Sequence, residues 1–143
     1  MHAIEEWHKL TRIKDPVTYQ EKLDDLLADD VVFYSPVVHT PQKGKTMTKL
    51  YLSAAGGVFD TNESDLKQEK KATGGFRYVK EIVGENHACL EFETTINDIH
   101  VNGIDLITWN KENKIIEFRV LVRPLQAVNM LHQMMGKMLE SLK

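Results

Sequence analysis

The stretch Val101-Asn102-Gly103-Ile104-Asp105-Leu106-Ile107-Thr108-Trp109-Asn110 reads as a β-strand with one charged residue out of place. Side chains alternate across a strand, so Val101, Asp105, Ile107 and Trp109 share one face while Ile104, Leu106 and Thr108 take the other. The face carrying Ile107 and Trp109 is the one to turn toward a core. A carboxyl group among such neighbours is costly to ionise. Its pKa should rise, leaving it a protonated donor or a base. Asp105 is therefore the sharpest candidate functional residue.

Strands flank this one on both sides. Phe76 to Val83 and Ala88 to Ile96 are strand-like, with Gly84-Glu85-Asn86 as the turn between them. Ile115 to Val122 follows across the short polar connection Asn110 to Lys114. Pro124 stops the sheet. Leu125 to Leu142 then reads as a helix with Leu125, Val128, Leu131, Met135, Met138 and Leu142 on one face.

Toward the N-terminus, Ile4, Trp7 and Leu10 recur at helical spacing. Asp15-Pro16 starts a second helix, Asp as N-cap and Pro in the first turn, with Val17, Leu23, Leu26 and Leu27 as its stripe up to Asp29-Asp30. Val31 to Tyr34 is a short strand, closed by Ser35-Pro36. Val37 to Gly44 reads as a loop and Thr46 to Ala55 as a third helix stopped by Gly56-Gly57. Asn62 to Thr73 is polar and reads as a surface connection with room for an edge strand. This order predicts an α+β fold, a curved antiparallel sheet wrapped over N-terminal helices with a C-terminal helix. Such a cone has an open end, where small ligands usually sit.

The 143 residues suit a single domain spanning 1–143. A net charge of -3 argues against a mainly electrostatic nucleic-acid binder. Cys89 is the only cysteine, so neither an intrachain disulfide nor a multi-thiolate zinc site is expected. The six histidines show no metal-ligand spacing, and no metal is expected. No Gly-rich phosphate loop is visible, which predicts no nucleotide cofactor. No apolar run approaches a membrane span, and the N-terminal residues lack a signal-peptide pattern, so the expected setting is cytoplasmic.

Three segments carry a resemblance. They are Leu27-Ala28-Asp29-Asp30-Val31-Val32-Phe33-Tyr34-Ser35-Pro36 with Gly44 after it, Gly103 to Asn110, and Lys114-Ile115-Ile116-Glu117-Phe118-Arg119-Val120. In their order and spacing they resemble the nuclear transport factor 2-like superfamily, in particular its SnoaL-like polyketide cyclase and ketosteroid isomerase branches. The resemblance implies a cone-shaped α+β barrel, commonly a dimer. The superfamily hosts isomerases, cyclases, dehydratases, hydrolases and binding modules, so the fold does not choose among them.

Asp105 matches the place of a ketosteroid-isomerase Asp that stays protonated and donates to an oxyanion, a case known from that enzyme. Two other positions depart from the isomerase. Its general base precedes the Pro of the first strand, where this chain has Ser35, and a Ser hydroxyl takes no proton unaided at neutral pH. Its tyrosine on the first helix falls near Trp7, whose indole donates one hydrogen bond and does not titrate. These departures argue against steroid-type isomerisation by that constellation. His39, in the loop after Pro36, is the candidate acid/base partner of Asp105. Trp7, Phe33, Tyr34, Ser35, Tyr51, Ile107, Trp109 and Phe118 are candidate pocket residues. Glu91, Glu93, Glu117, Arg119 and Arg123 should share the outer sheet face with Ile104, Leu106 and Leu121, a mixed surface suited to a homodimer. The expected activity is cofactor-independent isomerisation, cyclisation, dehydration or hydrolysis of a small apolar organic ligand, with Asp105 as acid/base. The alternative is a non-catalytic ligand-binding or dimeric interaction module.

Overall fold

A computed structural model describes residues 2–66 and 75–141. In chain order the elements are α1 (His2–Leu10), α2 (Pro16–Leu26), β1 (Leu27–Tyr34), β2 (Gln42–Lys43), α3 (Lys45–Leu66), β3 (Arg77–Val83), β4 (His87–Ile96), β5 (Ile99–Trp109), β6 (Ile115–Arg123) and α4 (Leu125–Ser141). The strands form one six-stranded sheet in the order β2-β1-β6-β5-β4-β3. It is the α+β arrangement expected, a curved and unclosed sheet over helices.

The helices form where apolar spacing and caps agree. Ala3, Ile4, Trp7 and Leu10 make one buried face of α1. Asp15 caps α2, its carboxylate accepting from the Thr18 backbone N–H at 2.9 Å. Leu23 and Leu26 are the residues α2 buries, while Val17, in the first turn, is 65% exposed rather than part of the stripe. The C-terminal stripe is also rotated. Leu125 is exposed, and α4 buries Ala127 and Leu131, with Met130, Met134, Met135 and Met138 packed beside them.

Three boundaries differ from the sequence expectation. The strand β1 starts at Leu27, directly after α2, and a register shift between Leu27 and Val32 absorbs the irregular pairing. It runs parallel to β6, whereas every other pairing is antiparallel. A parallel neighbour is open to β1 because the whole α3–β5 excursion lies between the two strands. Within the expected loop Val37 to Gly44, β2 pairs Gln42 with Phe33 and Lys43 with Val32. Helix α3 does not stop at Gly56-Gly57 but continues to Leu66. Each glycine costs roughly 1 kcal/mol of helix propensity without forbidding helical angles, and α3 packs against α4. The expected connection Asn62 to Thr73 is thus helical through Leu66, and its remainder lies outside the described residues.

The sheet has a dry face and a wet one. Leu90, Phe92, Thr94, Val101, Asp105, Ile107 and Phe118 point inward and are buried. On the other face Asn102 donates to Glu91 at 2.9 Å and accepts from Arg123 at 2.8 Å, and Arg77 pairs with Glu93 at 3.0 Å. Two apolar clusters fill the inner side. One joins α1 and α2 to β1, β4, β5 and β6, and the other lies under α4. Tyr78 and Val120 touch both.

Gly103 is required by close approach. A Cβ built there would lie 2.6 Å from the Phe92 ring and 2.6 Å from the Leu121 carbonyl oxygen. The Phe92 ring, stacked on Phe76 at 5.0 Å, occupies the space a side chain would need. Gly103→Ala should therefore destabilise the fold by about 1–3 kcal/mol through overpacking, read as a lower urea midpoint with an unchanged slope.

Candidate active site

Strand β5 carries Asp105 into the dry face. Its register partners are Leu90 on β4 and Val120 on β6, neither of which offers charge or a side-chain hydrogen bond. Asp105 is 7% exposed. Burial pushes its carboxyl up from the ordinary 3.8 to about 7. A single hydrogen bond opposes that rise. The Tyr78 hydroxyl donates to Asp105 Oδ2 at 2.6 Å.

Tyr78 reaches Asp105 from two strands away. It lies opposite Phe92 on β4, and Phe92 in turn lies opposite Gly103 on β5. The hydroxyl is held from the other side by Trp7 of α1, whose indole N–H donates to Tyr78 Oη at 3.0 Å. Burial, and then the charge of Asp105, pushes the Tyr78 phenol well above its ordinary range. Tyr78 is thus fixed as a neutral donor, and Asp105 is the member of the chain that titrates. The Tyr78 bond engages Asp105 Oδ2. Beside this chain, His8 Nε2 lies 3.0 Å from Glu81 Oε1, and the His8 ring meets Tyr78 edge-on at 5.5 Å.

The sequence candidates divide into two groups. Trp7, Phe33, Ile107, Trp109 and Phe118 are all buried on the inner side with Asp105. Phe118 meets Trp7 edge-on at 4.9 Å and lies 6.0 Å from Phe33, and Tyr51 extends the row at 5.6 Å from Phe33. Tyr34, Ser35 and His39 stand apart. Strand alternation turns Tyr34 away from Phe33, and the Arg119 guanidinium stacks on its ring at 3.9 Å on the outer face. The Ser35 hydroxyl accepts the Val37 backbone N–H at 3.1 Å and so shapes the loop. His39 is exposed in that loop and makes no bond to Asp105.

Tyr78 is the residue that sequence reasoning missed. Its only local signal is that Phe76 and Tyr78 alternate onto one face of a strand. The contact to Asp105 depends on the order of β3, β4 and β5 in the sheet. Two open depressions lie elsewhere on the surface, one lined by Gln20, Asp24 and Lys49, the other by Asp29, Lys45 and Lys114. Among the described residues, no three His, Cys, Asp or Glu side chains converge on one point, and no helix is long and apolar enough to cross a membrane.

The position of Asp105 has a consequence for stability. Its pKa is higher folded than unfolded, so the folded state binds its proton more tightly. The penalty for ionising it in place is absent below pH 4 and complete once pH has risen past about 7. It amounts to about 4 kcal/mol, an order-of-magnitude figure. The thermal midpoint should fall as pH rises through this window, and Asp105→Asn should flatten that fall. A slope in the variant as steep as in the native chain would contradict the assignment.

No protein-family model matches the sequence, and no curated protein matches it. Solved structures do. A steroid delta-isomerase from Pseudomonas aeruginosa is 26% identical, with a TM-score of 0.81 over 99% of this chain and 91% of that one. An NTF2-like protein from Mesorhizobium loti gives a TM-score of 0.61 at 15% identity, covering 85% of this chain and 91% of that one. A protein of the SnoaL-like family from Agrobacterium tumefaciens gives 0.57 at 12% identity, over 86% and 96%. The last two likenesses speak to fold alone. With the helices and the strand order in place, the chain has the fold of the nuclear transport factor 2-like proteins.

Proposed function

We propose that this protein is a cofactor-independent acid/base enzyme acting on a compact, largely apolar molecule that carries a carbonyl or hydroxyl group. The observation that carries the reading is the buried Asp105, titrating at about 7 and held through one oxygen by Tyr78. A group with that midpoint gives and takes a proton with comparable ease at neutral pH. Ionised, Asp105 accepts a proton from a carbon next to a carbonyl or from a hydroxyl. Protonated, it returns the proton to an adjacent carbon or to a leaving oxygen. Isomerisation, cyclisation and dehydration all need this exchange and no electron carrier. The aromatic row from Trp7 to Tyr51 packs ring on ring and makes the inner side apolar. The likeness to a steroid delta-isomerase supports the isomerase branch of these reactions.

The site is not that of the isomerase the sequence resembles. Ser35 spends its hydroxyl on the loop, and no second base stands at its position. Asp105 therefore serves as the acid and the base in turn. The same feature favours a second reading, a non-catalytic binder that uses Asp105 to hold a ligand hydroxyl or carbonyl. Proton exchange separates the two. In heavy water, the native chain should speed deuterium entry next to the carbonyl of apolar cyclic ketones, a steroid ketone among them. Asp105→Asn should lose about 100-fold or more of that rate. Binding of these ketones without exchange would support the binder, and exchange undiminished in the variant would remove Asp105 from the chemistry.

We also propose that the outer sheet face joins two copies of this chain. Ile82 and Leu121 are 63% and 52% exposed there, among Glu and Arg side chains of both signs. A two-fold contact pairs such a surface with itself. Light scattering at micromolar concentration should give twice the chain mass, and Leu121→Lys should return a monomer.

A further inference from the structure

The proton chain at Asp105 begins on a different element. Three observations tie α1 to it. The Trp7 indole N–H ends on Tyr78 Oη at 3.0 Å. His8, the next residue, lies edge-on against the Tyr78 ring at 5.5 Å and pairs with Glu81 at 3.0 Å, three residues along the same strand. The Trp7 ring is itself held by Phe118 at 4.9 Å, so the indole has little freedom to turn its N–H elsewhere.

From this arrangement we infer that Trp7 is a positioning residue for Asp105, acting through Tyr78, whose hydroxyl it holds aimed at Oδ2. This rests on the acid/base reading of Asp105 and deepens it, since it names what regulates that same group.

A phenol hydroxyl has one proton and two lone pairs. Without an outside donor its proton is free to rotate between acceptors. With the indole N–H on one lone pair, the proton lies on the side of Asp105, and each bond polarises the other. The indole thereby strengthens a bond that favours ionised Asp105. An indole is suited to this task because it donates without titrating, so its effect is constant with pH. The titratable groups around the chain are few. They are Tyr78 itself and the His8–Glu81 pair beside it, while the flanking strands face Asp105 with Leu90 and Val120. The His8–Glu81 pair is a second contact between α1 and β3 that does not involve the indole, and Ala3, Ile4 and Leu10 bury the same helix independently of it. This makes the bond separable from the docking of the helix.

The test reads the Asp105 carboxyl directly, by carbon NMR of the full chain labelled at aspartate, and needs no substrate. Trp7→Phe retains an aromatic ring against Phe118 but lacks the N–H. The titration midpoint of Asp105 should rise by about half a pH unit or more. Ile4→Val, which loosens the same helix by removing one buried methylene, should leave the midpoint in place. An unmoved midpoint in Trp7→Phe, or an equal rise in Ile4→Val, would overturn the inference. Should Trp7→Phe not fold, the native chain still decides. The Trp7 indole proton resonance should titrate with the same midpoint as Asp105, and an indole resonance constant through that range would also overturn it. Failure to turn over any ketone would count against the enzyme and leave this titration readable.

Discussion

One hydrogen bond, from a tyrosine hydroxyl to a carboxylate inside an apolar layer, organises the inner face of this protein. Burial alone drives a carboxyl group toward its neutral form, by several kcal/mol when nothing compensates. At Asp105 the 2.6 Å bond from Tyr78 offsets part of that penalty. The result is neither a locked carboxylate nor a permanently neutral acid. A charged partner in place of Tyr78 would have held the group ionised at neutral pH, as Lys49 helps hold Asp24 on the surface. A neutral donor leaves it balanced.

That balance depends on the sheet separating its charges by face. Arg77, Arg119 and Arg123 all lie on the outer side, occupied with Glu93, Tyr34 and Asn102. The strand period puts them there, since each is one residue out of phase with an inward neighbour. A one-residue slip of β6 against β5 would carry Arg119 to the inner face beside Asp105 and turn the buried carboxyl into one half of an ion pair. On the other flank of β5, the close fit of Phe92 over Gly103 ties β4 to the register that sets Leu90 opposite Asp105.

Much of the fold was legible in the sequence because it rests on local signals. The cap at Asp15, the alternation through β4 and β5 and the stripe of α1 all state their own geometry. What was not legible is non-local or marginal. The continuation of α3 past Gly56-Gly57 carries no such local signal, since two glycines weaken a helix by roughly 1 kcal/mol each without forbidding it. The parallel pairing of β1 with β6 joins segments far apart in the chain. The site divides along the same line. Asp105 showed itself by conflict with its neighbours on one strand. Tyr78 shows none, since a tyrosine on a half-buried strand is ordinary. Tyr34 misled because its strand has two faces and an aromatic residue suits either.

Trp7 and Ser35 illustrate how a superfamily fold can keep one functional group while its surroundings change. Each removes a titratable side chain from a position where the resembled isomerase has one. Taken alone, each substitution weakens the case for chemistry. Taken with Tyr78, they describe a site with one titrating group and a fixed donor chain. Such a site has fewer protonation states than one with two bases and a tyrosine on the first helix, because Trp7 cannot change charge and Tyr78 is pushed out of the physiological range. On the proposed acid/base reading, Asp105 is the one carboxyl among the described residues buried on this face, so a proton leaving a substrate there would go to its oxygen pair and the proton returned would come from the same pair. Transfer within one face of a bound molecule would follow from that arrangement.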